Sequence, residues 1–221
     1  MNDNINKYKI LLVGDSVFDN APYVEAGLDS VSILRKELSP IATVDSVAID
    51  GSTTFEVLYQ LDKGELSSKP KYDIIFLSIG GNDLLCNQEI YLDPTKTLAD
   101  RRDFIMELRK RFLLIRQRLL LMSENVFWTG VYKPYFDPEE YSEEHIERVN
   151  RAIHDINTKL KAGYSDEYML SLTSILNQQE DFVFTIEPSA QGSEKLAKEL
   201  KRIVHETLNS NTRIGSTQNL A

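Results

Sequence analysis

The stretch that decides the fold reads YKILLVGDS, from Tyr8 to Ser16. The part up to Val13 is apolar enough to form a buried central strand, and the chain then passes through a glycine and an acid to reach the serine. In open α/β sheets, ligands bind beyond the carboxyl ends of the parallel strands. The sequence therefore predicts that Ser16 lies at a ligand site at the end of the first strand.

Two later strand-like runs end in residues that complement this serine. Gly51 follows the run at residues 43–49, and Asn82 follows the run at residues 72–79. Because parallel strands end at the same edge of a sheet, we expect the serine, the glycine and the asparagine to converge there. A hydroxyl group beside a backbone amide and a side-chain amide is what a serine nucleophile with an oxyanion hole requires.

The order and spacing of these motifs resemble the SGNH/GDSL hydrolases, a family of serine esterases and lipases, from about Lys9 to about Ile203. The GDS at residues 14–16 resembles the nucleophile block of that family. Gly51 resembles the glycine of its second block, and the GGND at residues 80–83 resembles its third block. Each motif is weak alone, but together they make a specific match.

The resemblance implies a flavodoxin-like fold, a three-layer α/β/α sandwich with a central, mainly parallel five-stranded sheet. Apolar runs that alternate with helical patterns independently predict a parallel sheet covered on both faces. The resemblance also implies hydrolysis of an acyl or acetyl ester by Ser16. The oxyanion would be held by the amides of Ser16 and Gly51 and by the side chain of Asn82.

The fourth block departs from the family pattern. The family normally carries Asp-x-x-His-Pro near its C-terminus, whereas this chain reads DFVFTIEPS from residue 181 to 189. An alignment on Asp181 places Phe184 in the histidine position, and an alignment on Pro188 places Glu187 there. The run resembles a bacterial subgroup that also lacks the usual histidine. Phe184 has no proton acceptor and is expected to be apolar packing.

The catalytic base is therefore predicted to be a carboxylate, Glu187 or Asp181, acting directly or through a water. Glu187 would be a poor base at an ordinary pKa of about 4.3, so burial or a nearby charge must raise its pKa. The structural alternatives are a helix-capping role for Glu187 and a solvated loop position for Asp181. His145 and His154 fall on a predicted helix of alternating charge and are expected at the surface.

A second class of function stays open because the histidine is missing. The scaffold could have lost turnover and serve as a binding module for an esterified ligand or a protein partner. Loss of a triad base commonly costs several orders of magnitude in rate, although an oxyanion hole alone leaves residual catalysis.

Composition and net charge restrict the classes of partner that the protein is expected to bind. The net charge of −9 argues against nucleic acid, which needs a cationic face. No metal-ligand cluster or phosphate-binding loop occurs, so we predict no cofactor and no metal, with a small-molecule ester as partner.

The first residues lack a signal-peptide core and no run could span a bilayer, so we expect a cytoplasmic protein, with signal-independent export left open. The single cysteine, Cys86, is expected to be a buried apolar residue.

We expect one domain over residues 1–208 and a disordered, polar tail over residues 209–221. A loop is predicted between Gly64 and Pro70. The predicted strands are residues 8–13, 43–49, 72–79, 126–132 and 168–172, and the predicted helices are residues 24–38, 53–61, 98–122, 139–162 and 190–208.

Overall fold

The structure is a computed structural model that describes residues 7–63, 71–163 and 168–217. Its central sheet consists of β1 (Tyr8–Gly14), β2 (Ala42–Ser46), β3 (Ile74–Ser78), β4 (Val126–Thr129) and β5 (Met169–Leu170). The strands lie in the order β2-β1-β3-β4-β5, and each neighbouring pair is parallel. The prediction of a five-stranded parallel sheet is confirmed.

Eight α-helices accompany the sheet within the described ranges. They are α1 (Ser30–Leu38), α2 (Thr54–Asp62), α3 (Gly81–Cys86), α4 (Glu89–Leu92), α5 (Leu98–Leu119), α6 (Glu143–Lys161), α7 (Leu172–Ile175) and α8 (Ala190–Thr217). None of the helices in the described ranges is both long and apolar enough to cross a membrane.

The central strand β1 contributes to two separate apolar cores. Ile10 and Leu12 belong to the core that includes residues of α1 and α8, whereas Leu11 and Val13 belong to the core that includes residues of α2, α5 and α6. Side chains alternate between the faces of a strand, so a strand covered on both faces must be apolar throughout. The predicted three-layer α/β/α arrangement is confirmed.

The strand order places a topological switch point at β1. The chain leaves β1 to form β2 on one side, and α2 then carries it back to β3 on the other side. Ligand crevices form at such reversals, beyond the carboxyl ends of the strands. The amide of Ile49 donates to the carbonyl of Gly14 (2.9 Å) and holds the turn after β2 against the turn after β1.

Helix α1 begins at Ser30 rather than at the predicted Val24. Gly27 has a positive φ of 85°, which interrupts the helical path. The side chain of Asp29 then caps the helix by accepting a hydrogen bond from the amide of Ser32 (2.8 Å). The N-cap therefore overrides the upstream apolar pattern.

Helix α8 is longer than predicted. Helix α8 continues to Thr217 instead of ending near Leu208. Extending an existing helix adds one backbone hydrogen bond for each residue fixed, and no proline stops it here. Residues 218–221, and the predicted loop between Gly64 and Pro70, lie outside the described residues.

A small antiparallel hairpin was not predicted. It pairs β6 (Phe182–Val183) with β7 (Glu187–Pro188) just before α8. Its tip contains two consecutive left-handed residues, Phe184 with φ 49° and Thr185 with φ 74°. Bulky and β-branched residues rarely adopt this conformation, so nothing in the local sequence signals the turn. The hairpin matters because it carries Glu187.

Candidate active site

Ser16 follows β1 directly and is only 6% exposed. The backbone before it requires glycine, because a Cβ on Gly14 would lie 1.8 Å from the carbonyl oxygen of Ser78 in β3. Asp15 fixes the turn by accepting hydrogen bonds from the Ser78 hydroxyl (2.7 Å) and the Val17 amide (3.2 Å). Asp15 thereby anchors the Ser16 turn to β3.

Asp15 is an unusual carboxyl group. Burial raises its pKa to about 6, although the hydrogen bonds from Ser78 and Val17 act in the opposite direction. Removal from water disfavours the charged form of an acid, and here this effect outweighs the bonds that stabilise the charge. Asp15 therefore titrates close to neutrality.

Asn82 lies in the first turn of α3, which begins after the left-handed Gly80 (φ 110°). Its side-chain nitrogen donates to the carbonyl oxygen of Ser52 (3.1 Å), in the turn that follows β2. A primary amide has two N–H donors, and this bond uses one of them. The Ser52 contact therefore orients the amide of Asn82.

Asp83 and Gly51 complete this part of the site. The Asp83 carboxylate accepts bonds from the Thr54 amide (2.8 Å) and the Thr54 hydroxyl (2.6 Å), and it pairs with Arg111 at 3.4 Å. It thereby fastens α3 to the start of α2. Gly51 has φ 78°, and a Cβ there would meet no atom within 4 Å. The turn conformation, rather than crowding within the chain, is what favours glycine at this position.

A cavity of about 290 Å³ opens beside Ser16. Ser16, Asn82 and Glu187 all line it, so the structure brings together three of the predicted site residues from distant parts of the chain. Gly51 and Asp181 are not among the described residues that line it. The remaining wall is mostly apolar and comes from α3, α4, α6 and the segment after β4.

Glu187 projects into this cavity and is 7% exposed. Burial raises its pKa above the ordinary range, the hydrogen bond from the Ser16 side chain lowers it, and the charges of Asp50 and Asp15 raise it again, with a net upward shift. Its Oε2 atom is buried without a hydrogen-bond partner among the described residues. A buried acceptor without a partner is costly and calls for a functional explanation.

The helix-capping alternative for Glu187 does not match its contacts. Helix α8 is capped by Ser189, whose hydroxyl oxygen accepts a hydrogen bond from the amide of Gly192 (3.1 Å). Glu187 instead lies in β7, where it pairs with Val183, and it lines the cavity together with Ser16. These contacts leave the carboxylate available to the cavity.

Asp181 occupies a different environment from the solvated loop position that was considered for it. It is fully buried, pairs with Lys195 at 2.7 Å and accepts hydrogen bonds from the amides of Asn177 (2.9 Å) and Gln178 (3.0 Å). Burial acts to raise the pKa of Asp181, but the bonds from Lys195 and the amides outweigh it and leave the pKa lowered. A carboxylate so stabilised as an anion is a weak proton acceptor.

The hairpin tip is held from one side. The amide of Tyr135 donates to the carbonyl of Thr185 (3.0 Å), and the hydroxyl of Tyr132 donates to the carbonyl of Ile186. Phe184 was expected to pack among apolar side chains, but it is 79% exposed at the cavity rim. Its ring and that of Tyr23 meet edge to face, with 6.4 Å between the ring centroids. The left-handed backbone at the tip turns this side chain outward.

Three further residues had predicted positions, and one of them lines the cavity. His145, expected at the surface, is half-buried in the cavity wall, where its ring contacts Phe136 and Tyr141 (5.5 Å and 5.3 Å between centroids). The hydrophobic periodicity of α6 favours this placement, because its next helical turn, at Val149, lies in the same wall. His154 is exposed as expected, whereas Cys86 is exposed rather than buried.

Metal binding has no evident place in the part of the chain that the structure describes. No group of three or more histidine, cysteine, aspartate or glutamate side chains lies close enough there to hold a metal ion.

The strand order, the switch point and the cavity define an α/β protein with a cavity at the carboxyl end of its sheet. The model of the GDSL-like lipase/acylhydrolase family matches residues 12–195. The chain therefore belongs to the GDSL-like lipase/acylhydrolase family. A comparison with curated proteins finds no significant match.

Solved structures share this fold at low sequence identity. The lipase Lip_vut3 from a goat rumen metagenome is 18% identical with a TM-score of 0.70, over 89% of this chain and 97% of that one. A member of the lipolytic G-D-S-L family from Veillonella parvula is 15% identical with a TM-score of 0.67, over 89% and 97%. A phospholipase A1 from Streptomyces albidoflavus is 14% identical with a TM-score of 0.61, over 92% and 99%.

Proposed function

We propose that this protein is a serine ester hydrolase in which Ser16 is the nucleophile and Glu187 is the base. Family membership supports an acyl-hydrolase activity. The single observation that carries the finer assignment is that the Ser16 side chain and the Glu187 carboxyl group line one cavity. A nucleophile within hydrogen-bond reach of a base is the arrangement that activates a hydroxyl group.

In the proposed reaction, the Ser16 oxygen attacks the ester carbonyl carbon while Glu187 accepts the hydroxyl proton. The tetrahedral intermediate then collapses, the alcohol leaves with that proton, and the acyl group stays on Ser16. A water molecule, deprotonated by the same carboxylate, hydrolyses the acyl-enzyme and releases the carboxylic acid. The raised pKa of Glu187 makes it a better proton acceptor than an ordinary glutamate.

The oxyanion would be stabilised by three donors, the amides of Ser16 and Gly51 and the side chain of Asn82. The bond from Asn82 to the Ser52 carbonyl supports this role because it fixes the amide in advance. Donors held in place before the reaction stabilise developing charge without reorganisation. Asp181 is the less suitable base because it is paired with Lys195 and does not line the cavity within the described residues.

The missing histidine favours a second candidate, a binding module on the same scaffold. The two candidates differ in whether Ser16 reacts. The test is incubation with an aryl phosphonate, which phosphonylates a nucleophilic serine with release of the phenol, followed by peptide mass spectrometry. We expect modification of Ser16 and loss of ester hydrolysis.

The matched variants are Ser16→Ala, which should abolish hydrolysis and labelling, and Ser32→Ala on α1, which should change neither. Ser32 does not line the cavity, so its loss controls for removing a hydroxyl group as such. Unmodified Ser16 together with no hydrolysis of a broad ester panel would refute the enzyme assignment and favour the binding module.

A further inference from the structure

We propose that the cavity beside Ser16 is an acyl-chain site that selects uncharged acyl groups of medium length. This inference rests on the proposed function, because it assigns the substrate class of the same site. Its basis is the composition of the wall, the volume of the cavity and the position of one small residue on α6.

The wall away from Ser16 presents hydrocarbon. It includes the side chains Leu84, Leu85, Val131, Val149, Ala152 and Ile153. Sites of this kind bind a ligand mainly through apolar contact, and a few polar groups fix its orientation. The polar groups Ser16, Asn82 and Glu187 lie where the ester carbonyl would react, so the acyl chain would lie along the apolar side chains.

The charges of the wall exclude an anionic chain. No lysine or arginine occurs among the described residues that line the cavity, and the carboxyl groups Asp15 and Glu187 both do. A carboxylate or phosphate on the chain would have to leave water without a cation to pair with it. The chain that fits is therefore an uncharged hydrocarbon.

The volume sets an upper limit on the length of the chain. A water molecule occupies about 30 Å³ of liquid, and a methylene group is of similar size. The cavity of about 290 Å³ therefore holds on the order of ten methylene groups. We expect acyl groups of roughly six to ten carbons to be preferred over acetyl and over palmitoyl groups.

Ala152 is the residue that tests this limit most directly. It is fully buried in the middle of α6 and lines the cavity. Ala152→Leu keeps a strong helix former at this position and fills space on the order of three methylene groups. The preferred acyl chain should therefore shorten by about three carbons.

Two further variants keep the test decisive. Val149→Ala, at a half-buried position in the same wall, should extend the preference toward longer chains even if Ala152→Leu overpacks the core. Arg151→Leu adds the same leucine to the exposed face of α6 and should leave the preference unchanged. Thermal unfolding of each variant checks that it is folded.

The measurement is kcat/KM for p-nitrophenyl esters of increasing acyl length. We expect a rise of roughly two- to fourfold for each added methylene up to the limit. The adipate monoester should react at least about tenfold more slowly than the hexanoate ester because of its second carboxylate. A flat profile, or an unchanged profile in both Ala152→Leu and Val149→Ala, would overturn the inference while leaving ester hydrolysis intact.

Binding separates this inference from the proposed reaction. Octanamide is uncharged and resists hydrolysis, so calorimetry can measure its affinity for Ser16→Ala. We expect octanamide to bind at least about tenfold more tightly than acetamide. Tight octanamide binding by a protein that cleaves no ester would uphold the acyl-chain site and refute the proposed reaction, and equal affinities would overturn the site.

Discussion

Ser16, which follows β1, and Glu187, in the β6–β7 hairpin, line the same cavity. Burial raises the pKa of Glu187, hydrogen bonding to the Ser16 side chain lowers it, and the charges of Asp50 and Asp15 raise it again, with a net upward shift. A carboxylate in this environment combines two properties that a base needs. It shares a cavity with the hydroxyl group whose proton it would accept, and it holds a proton more strongly than an exposed glutamate does.

Replacement of Glu187 by glutamine tests the proposed base. Only the ionised carboxylate can accept a proton, so wild-type kcat/KM should rise with pH through the raised pKa of Glu187. Glu187→Gln should lower kcat/KM by roughly a hundredfold or more and remove this rising limb. The check is a profile of kcat/KM between about pH 4 and pH 9.

Glu194→Gln is the matched control, since Glu194 is exposed on α8 and does not line the cavity. It should retain both the rate and the profile. If the rising limb persists in Glu187→Gln, Glu187 is not the group responsible for it. His145→Ala would then be the next variant to examine, because His145 lines the same cavity.

The charge of Asp50 should tune the same limb. Asp50 is exposed, and its negative charge is one of the causes that raise the pKa of Glu187. Asp50→Asn removes that charge but keeps an oxygen that can accept the hydrogen bond from Tyr23, which Asp50 receives at 2.6 Å. The rising limb of kcat/KM should therefore move to lower pH with little loss of the maximal rate.

The control for this shift is Asp103→Asn, which removes the same charge from the exposed surface of α5. Its pH profile should overlay that of the wild type, especially at physiological salt, where distant surface charges are largely screened. If Asp50→Asn and Asp103→Asn give the same profile, the local charge of Asp50 does not act on the base.

Asn82 is expected to act in the transition state. Asn82→Ala should lower kcat by roughly a hundredfold or more, with a small change in KM, because an oxyanion donor stabilises charge that is absent from the bound ester. Asn87→Ala is the matched control at the C-terminal cap of the same short helix, where the Asn87 side chain donates to the carbonyl of Asp83 (2.8 Å). A large fall in melting temperature with unchanged kcat would instead assign Asn82 a structural role.

The parallel sheet could be predicted because its signals are local. Strands β1, β3 and β4 are apolar runs that end in a glycine or a polar residue, and the order of these endings matches the switch-point topology. The start of α1 was missed because Gly27 and the cap at Asp29 outweigh the apolar pattern upstream. In both cases, the deciding interactions lie within a few residues along the chain.

The side of the hairpin on which Glu187 lies could not be predicted in this way. It depends on two left-handed residues at the tip, Phe184 and Thr185, and on the contact that Tyr132 makes with the hairpin from another strand end. The ion pair that holds Asp181 depends equally on Lys195, one turn into α8. Sequence supplied the two candidate carboxylates, and tertiary contacts distinguish their environments.

The raised pKa of Asp15 leads to a prediction about the stability of the protein rather than its reaction rate. Burial raises its pKa from 3.8 to about 6, so the folded protein binds this proton more tightly than the unfolded chain does. The contribution of that proton to the free energy of unfolding is fully present below the pKa that Asp15 has in the unfolded chain. It is lost as the pH rises through about 6. At neutral pH the ionised, buried Asp15 therefore opposes folding, by about 3 kcal/mol.

Asp15→Asn keeps an oxygen that can accept the bonds from Ser78 and Val17, and it carries no charge. Relative to wild type, its free energy of unfolding should increase as the pH rises from about 4 to about 7. Urea unfolding at several pH values measures this difference, with the exposed Asp103→Asn as control. Parallel curves for Asp15→Asn and wild type would show that the Ser78 and Val17 bonds hold the pKa of Asp15 at an ordinary value.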